Sequence, residues 1–139
     1  MDRKTLRDKK TLRELLKQVL AASVSDRTGV EYEFEYRFAA PERQWRSDIA
    51  FPSAKVAVEI DGGIWTYGRH NRAASMLDDM EKGNGYAARN WVVFHTPWEW
   101  IDGGRRDRSR QLIGDISGVV KLRIKNAVGL WNDGRVLDE

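Results

Sequence analysis

The sequence contains no cysteine and only two histidines, His70 and His95, among its 139 residues. The lack of cysteine excludes a disulfide framework, thiolate zinc sites and cysteine nucleophiles, and two histidines are too few for an imidazole metal cage. The N-terminus is charged from Asp2 onward and has no apolar signal segment. We therefore expect a cytoplasmic protein with no membrane association.

Hydrophobic residues make up 41% of the chain and charged residues 32%, a balance typical of a folded globular protein. The length predicts a single domain over residues 1–139, large enough to bury about two-thirds of its unfolded surface. With 24 Lys and Arg against 21 Asp and Glu, the net charge is only +3. Nucleic-acid binding is therefore permitted but not required, and the placement of the charges has to decide.

The first stretch of the chain is basic and has a helical repeat of leucine and valine. The apolar residues recur at the spacing of one helix face: Leu12, Leu15, Leu16, Val19 and Leu20. The basic residues are Arg3, Lys4, Arg7, Lys9, Lys10 and Arg13. The pattern predicts an amphipathic helix that ends before Ser25-Asp26 and Gly29. Its basic side is either a solvated face or an arm that contacts phosphates.

Alternation with a period of two begins at Val30 and predicts a strand whose aromatic face lies in the core. That face carries Tyr32, Phe34, Tyr36 and Phe38. Residues 45–51 and the almost entirely apolar residues 55–60 predict two further strands, which complete an antiparallel three-strand meander. Residues 91–94 predict a fourth strand, and helices are expected over 71–88 and after the arginine-rich loop 103–110. The predicted fold class is α/β, with a mixed central sheet flanked by helices.

Acidic residues recur on one side of the first three predicted strands. A short turn at Pro52–Lys55 would place Asp48 opposite Glu59, and a loop around Pro41 would bring Glu35 beside Asp48. Carboxylates this close repel one another, so one must take a proton or meet a cation.

Two interpretations of this acidic side remain open. One is an ion-pair network in which Arg37, Arg46 and Lys55 neutralise the acids, although this side has six acids and only three bases. The other is a site for Mg²⁺ or Mn²⁺, which prefer oxygen ligands. Such a cation supports hydrolysis of phosphate esters.

Several segments resemble the PD-(D/E)XK nuclease superfamily, in its small phage and bacterial very-short-patch-repair-like branch. The central similarity is Asp48 on one strand followed by Glu59-Ile60-Asp61 at the end of the next. The similarity covers residues 33–96 and includes Phe34–Phe38, Trp45–Ala50, Val58–Trp65, Gly68–His70, Asp79–Asn84 and Asn90–Val93.

The resemblance implies a restriction-endonuclease-like core that cuts DNA with Mg²⁺ or Mn²⁺. It implies a metal site formed by Asp48, Glu59 and Ile60, with Glu35 as a further catalytic acid. The chain departs from the family because Asp61 occupies the position of the family's lysine.

Three residues are candidates to replace that lysine. Lys82 and His70 are candidates for a base located outside the family's lysine position. Asp61, which occupies that position, is a candidate catalytic residue as a further metal ligand or as an acid that replaces the lysine. His95, on the fourth strand, is expected to be a core residue.

The predicted function is a Mg²⁺-dependent DNA endonuclease acting on branched, mismatched or nicked DNA, such as a junction resolvase. The alternative is a catalytically silent DNA-binding module on a nuclease scaffold, which Asp61 favours. DNA is the expected partner, since three basic clusters surround the acidic pocket, and a homodimer would match two cuts to two strands. If a phage encodes the protein, the location is the host cytoplasm.

Overall fold

The computed structural model describes residues 1–61 and 72–133. Within these residues, three long helices and four strands follow one another: α1 (Arg3–Thr28), β1 (Glu33–Tyr36), β2 (Ser47–Phe51), β3 (Val56–Asp61), α2 (Arg72–Ala88), β4 (Val92–Pro97) and α3 (Arg106–Asp133). A short 3-10 helix follows β2 at Pro52–Ala54, and another follows β4 at Trp98–Trp100. No helix in these ranges has the length and hydropathy that a membrane crossing requires.

The strands form one mixed sheet in the order β1-β2-β3-β4. β1 and β2 are antiparallel, β2 and β3 are antiparallel, and β3 and β4 are parallel. The α/β class with a mixed four-stranded sheet flanked by helices is thus confirmed. The description of a three-strand meander with an added strand is wrong, because β4 is an integral part of the sheet. It pairs with all six residues of β3, the longest pairing in the sheet.

Two apolar clusters cover the opposite faces of the sheet, because alternate residues of β3 point to opposite sides. The aliphatic core lies between the sheet and helices α1 and α3, and its fully buried members include Val24, Ile49, Phe51, Val56, Val58, Ile116 and Val120. The aromatic layer lies on the α2 side and contains Phe38, Ala39, Ala57 and Tyr86, with Tyr36, Trp45, Trp91 and Val93 packed against them. As predicted, β3 is buried on both faces.

The predicted alternation in β1 fails at Glu35. Its φ of +50° is in the left-handed region, which interrupts the extended backbone. As a result Tyr32 packs against the aliphatic core while Tyr36 packs against the aromatic layer, and Phe34 is 39% exposed. The four aromatic residues therefore do not share one buried face.

The helices follow their predictions with two corrections, and the first is that α1 continues through Ser25 and Asp26 to Thr28. Helix α1 begins at the N-cap Asp2, whose carboxylate accepts a hydrogen bond of 2.7 Å from the Thr5 N–H, and it ends at Gly29 with φ +72°. The predicted loop 103–110 is shorter than expected, because α3 begins at Arg106 and places most of its arginines on the first helical turns.

Candidate active site

Asp48 and Glu59 meet on neighbouring strands at the centre of the sheet. The pairs Ile49–Val58 and Ala50–Ala57 set the register of β2 and β3, and its next step places Asp48 opposite Glu59. Asp48 Oδ2 accepts a hydrogen bond of 2.7 Å from the Ile60 N–H. The strand register predicted from the Pro52–Lys55 turn is therefore confirmed.

The environment of Asp48 opposes its negative charge. Burial is the largest cause and, with the nearby charges of Glu59 and Glu35, raises the pKa of Asp48 to about 6. The Ile60 N–H and the Lys17 cation act in the opposite direction but do not cancel the increase. A cation beside Asp48 would relieve this cost.

Glu59 is only 8% exposed and is bound by two side chains of α2. Its Oε1 atom accepts a hydrogen bond of 2.5 Å from the Tyr86 hydroxyl and lies 2.6 Å from Lys82 Nζ. Lys82 also donates to the Arg46 carbonyl oxygen at 2.6 Å, which holds the ammonium group at the edge of the sheet. The structure therefore brings Lys82, a sequence-predicted candidate, directly to Glu59.

Tyr86 is a site residue that the sequence did not reveal. Burial and the charge of Glu59 raise the pKa of its hydroxyl, so Tyr86 stays neutral and donates its proton to Glu59. The Ser47 hydroxyl oxygen lies 2.7 Å from the Tyr86 hydroxyl oxygen. Because Tyr86 gives its only hydroxyl proton to Glu59, Ser47 is the donor in this second hydrogen bond. The Tyr86 ring stacks on Phe38 with centroids 3.7 Å apart. The sequence around Tyr86 does not indicate these contacts, because their partners Phe38, Ser47 and Glu59 belong to segments that are distant in the chain.

Glu35 lies opposite Asp48, as predicted, between the β1–β2 pairs Phe34–Ile49 and Tyr36–Ser47. Its carboxylate is half-exposed and forms an ion pair of 2.8 Å with Lys17 of α1. The neutralising cations are therefore Lys17 and Lys82, both from helices. The ion-pair network proposed from the sequence used Arg37, Arg46 and Lys55 as its bases. Within residues 1–61 and 72–133, none of these three residues forms an ion pair.

Asp61 ends β3 and pairs with His95 of the parallel strand β4, with 2.8 Å between Asp61 Oδ2 and His95 Nδ1. This hydrogen bond is the main cause that raises the pKa of His95, and the charges of Asp61 and Glu59 add to it. The expectation that His95 is a core residue is wrong: its side chain is 63% exposed. The imidazole lines an open cleft on one face of the sheet, which leaves it accessible to solvent.

These groups line one cleft of about 660 Å³, formed by β2, β3, β4 and α2. Asp48, Glu59, Ile60, Asp61, Lys82, Tyr86 and His95 are among its lining residues. The remaining candidate, His70, lies outside the described residues.

The donor set fits a Mg²⁺ or Mn²⁺ ion with few protein ligands. Within the described ranges no three acidic or histidine side chains gather in a metal-binding group. Mg²⁺ commonly uses one or two carboxylates and completes its shell with water and substrate phosphate oxygens. Asp48 and Glu59 meet that requirement. Ile60, the third predicted ligand, lies beside them and contacts Asp48 through its amide.

Comparisons with family models, with curated proteins and with solved structures find no match to this chain.

Proposed function

We propose that the chain is a Mg²⁺- or Mn²⁺-dependent DNA endonuclease with a PD-(D/E)XK, restriction-endonuclease-like core. The observation that carries the proposal is one cleft that holds Asp48, Glu59 and Lys82 together. Two carboxylates from adjacent central strands and one lysine are the groups that such a hydrolase needs. The sequence resemblance assigns the metal ion to the same two carboxylates, Asp48 and Glu59.

In this proposal Asp48 and Glu59 hold the metal ion, with Ile60 as the neighbouring backbone ligand and Glu35 as an outer acid. When bound, the ion would polarise the phosphoryl group and lower the pKa of the attacking water. The ammonium group of Lys82 replaces the lysine that the family carries at the position of Asp61. It stabilises negative charge that develops on the phosphate oxygens and orients the water that attacks phosphorus.

Asp61 has a different role in this scheme. It accepts the Nδ1 proton of His95 and so holds the imidazole at the edge of the cleft. Asp61 is thus occupied by a neighbour, which favours Lys82 as the replacement for the family lysine. The variant His70→Ala tests the other candidate base, and its cleavage rate is compared with that of the Lys82 variant.

The test is cleavage of plasmid, mismatched, flap and four-way-junction DNA in Mg²⁺, Mn²⁺ or EDTA. We expect Glu59→Gln to lower the cleavage rate by about 100-fold or more, as does loss of a transition-state contact in other enzymes. The matched control is Glu81→Gln. Glu81 lies on α2, is exposed and pairs with Arg43 outside the cleft. Its rate should stay within about twofold of wild type.

Lys82→Met should also abolish most cleavage, while Lys121→Met, at an exposed lysine of α3, should leave it unchanged. If no substrate is cut with either metal while the folded protein binds DNA, the chain is the silent binding module. If Lys82→Met cuts normally and Asp61→Ala does not, the lysine assignment is wrong.

A further inference from the structure

A second cleft, of about 390 Å³, opens on the other side of Asp48, and we call it the α1 cleft. Its lining includes Lys9, Lys10, Arg13, Lys17, Glu35 and Trp98. Asp48 and Ile60 line both clefts, so the two meet at the proposed metal ligands. Any ligand that fills the α1 cleft therefore reaches the carboxylate site.

The charges of the α1 cleft are arranged unevenly along it. At the inner end, Lys17 and Glu35 neutralise each other across 2.8 Å. Farther along α1, Lys9, Lys10 and Arg13 line the cleft with one carboxylate, Glu14. Within residues 1–61 and 72–133, none of these three cations forms an ion pair. An excess of unpaired cations at a cleft favours an anionic ligand.

Arg13 shows that this surface is partly organised in advance. Its guanidinium carbon lies 5.0 Å from the centroid of the Trp98 ring. Trp98 follows β4 and packs against the aliphatic core, so it anchors the arginine at the wall of the cleft. A guanidinium held against an aromatic ring keeps its N–H groups free for phosphate oxygens.

The length of the α1 cleft selects among anions. Lys9 at its outer end and Lys17 at its inner end are eight residues apart, or about 12 Å along the helix at about 1.5 Å per residue. A single phosphate monoester cannot extend over that length, whereas successive phosphates of a nucleic-acid strand can. The continuity with the carboxylate site points to the same strand that is cut.

We propose that the α1 cleft binds the phosphate backbone of the DNA strand that leads to the scissile bond. Lys9, Lys10 and Arg13 contact its phosphates. This inference rests on the proposed function for the identity of the ligand. It divides the basic N-terminal stretch in two, because Lys4 and Arg7 lie on the same helix but do not line the cleft.

The test compares two double variants that remove equal charge from α1. Lys10→Ala with Arg13→Ala removes two cations from the lining of the α1 cleft, and Lys4→Ala with Arg7→Ala, which lie outside the lining, is the control. All four side chains are exposed, so both variants should fold, as checked by thermal denaturation. DNA binding is measured by fluorescence anisotropy in EDTA over a series of salt concentrations.

For the cleft variant we expect the affinity for DNA to fall by roughly tenfold or more. The negative slope of the logarithm of the binding constant against the logarithm of the salt concentration should become shallower by about 1.5 to 2. The control should change much less in both quantities. In Mg²⁺, the cleft variant should show a raised KM with kcat nearly unchanged. Equal losses in the two variants, or no loss in either, would overturn the inference.

The outcome separates this inference from the proposed function. If the protein cuts DNA and the two double variants behave alike, the nuclease proposal stands and the α1 cleft does not bind the strand. If the wild-type protein cuts no DNA, and of the two double variants only the cleft variant loses DNA binding, the α1 cleft binds DNA and the nuclease proposal fails.

Discussion

The two faces of the sheet differ in what fills them. The aliphatic core, beneath α1 and α3, is built mainly of buried branched side chains and Phe51. The aromatic layer, beneath α2, is smaller and has Ser47, Glu59 and Lys82 at its margin. One face thus supplies most of the apolar burial, while the other holds polar groups in position by ring stacking. A site that carries buried charge is tolerated because the opposite face supplies the stability.

The largest expected effect comes from Phe51→Ala in the aliphatic core. Phe51 is fully buried, and its truncation should cost about 3–5 kcal/mol of unfolding free energy, because it removes apolar contacts and leaves a cavity. Chemical denaturation measures the loss. Leu122→Ala is the control: Leu122 is 56% exposed, so its change should stay within about 0.5 kcal/mol. A loss below about 1 kcal/mol for Phe51→Ala would contradict the contrast between the faces.

A smaller loss is expected from Gly85→Ala in α2. A Cβ atom on Gly85 would lie 2.5 Å from Cζ3 of Trp45, so the indole ring must move. Trp45 stacks on Phe38, and Phe38 stacks on Tyr86, so the displacement should disturb the aromatic layer and cost about 1–3 kcal/mol.

Gly83→Ala provides the matched control on the same helix. Nothing lies within 4 Å of its added Cβ, and alanine should stabilise the helix by up to about 1 kcal/mol. Thermal denaturation of the two variants should therefore show shifts of opposite sign. Shifts of the same sign would show that Trp45 repacks without cost.

Tyr86→Phe should lower the unfolding free energy by about 1–2 kcal/mol, since it removes the hydrogen-bond donor of Glu59 while keeping the stacked ring. The proposed nuclease should also lose activity, because Glu59 is then positioned by Lys82 alone. Tyr36→Phe is a control in the same layer, since the structure shows no hydrogen bond from the Tyr36 hydroxyl within the described residues. Equal effects of the two substitutions would argue against a positioning role for Tyr86.

The smallest expected effect is a pH dependence caused by Asp48. Its pKa is raised from 3.8 to about 6 in the folded protein, so the folded state binds more protons than the unfolded state between those values. The contribution of Asp48 to the free energy of unfolding therefore falls as pH rises from about 4 to about 6, and it is constant outside that window. We expect a shallow slope, because solvent reaches part of the carboxyl group.

Denaturation in EDTA across this pH range, compared for wild type and Asp48→Asn, measures the contribution of Asp48. The variant should lack that decrease. His95, whose pKa is also raised, acts at higher pH: its contribution is present below about 6.5 and is lost as pH rises through its folded value. An unchanged slope in Asp48→Asn would show that the carboxyl group titrates normally.

The accuracy of the sequence-based predictions followed the range of the interactions involved. The apolar run of β3 and the short turn before it predicted a buried central strand and the pairing of Asp48 with Glu59. Both depend on neighbours close in sequence. The alternation in β1 predicted four aromatic residues on one face, and the backbone of Glu35 broke that pattern. Nothing local distinguishes a glutamate with positive φ from one in a regular strand.

The site shows the same division. Glu59 was identifiable because it is an acid within an apolar strand, where an unpaired charge is costly. Asp48 followed from the strand alternation and the short turn, and Asp61 from the family resemblance. Lys82 was only one candidate among several, since a lysine on an amphipathic helix is ordinarily a solvated residue. Tyr86 and His95 were not identified, because their partners are 27 and 34 residues away in the chain.

The sequence by itself determined the α/β class, an amphipathic first helix that ends by Gly29, and the carboxylates of the central strands, because periodicity, glycine at helix ends and burial of charge are local properties. Only the tertiary structure decided which cations meet those carboxylates and that two clefts share Asp48. The packing of α1 and α2 against the sheet sets those distances. They arise from the fit of many side chains at once, which no single stretch of sequence encodes.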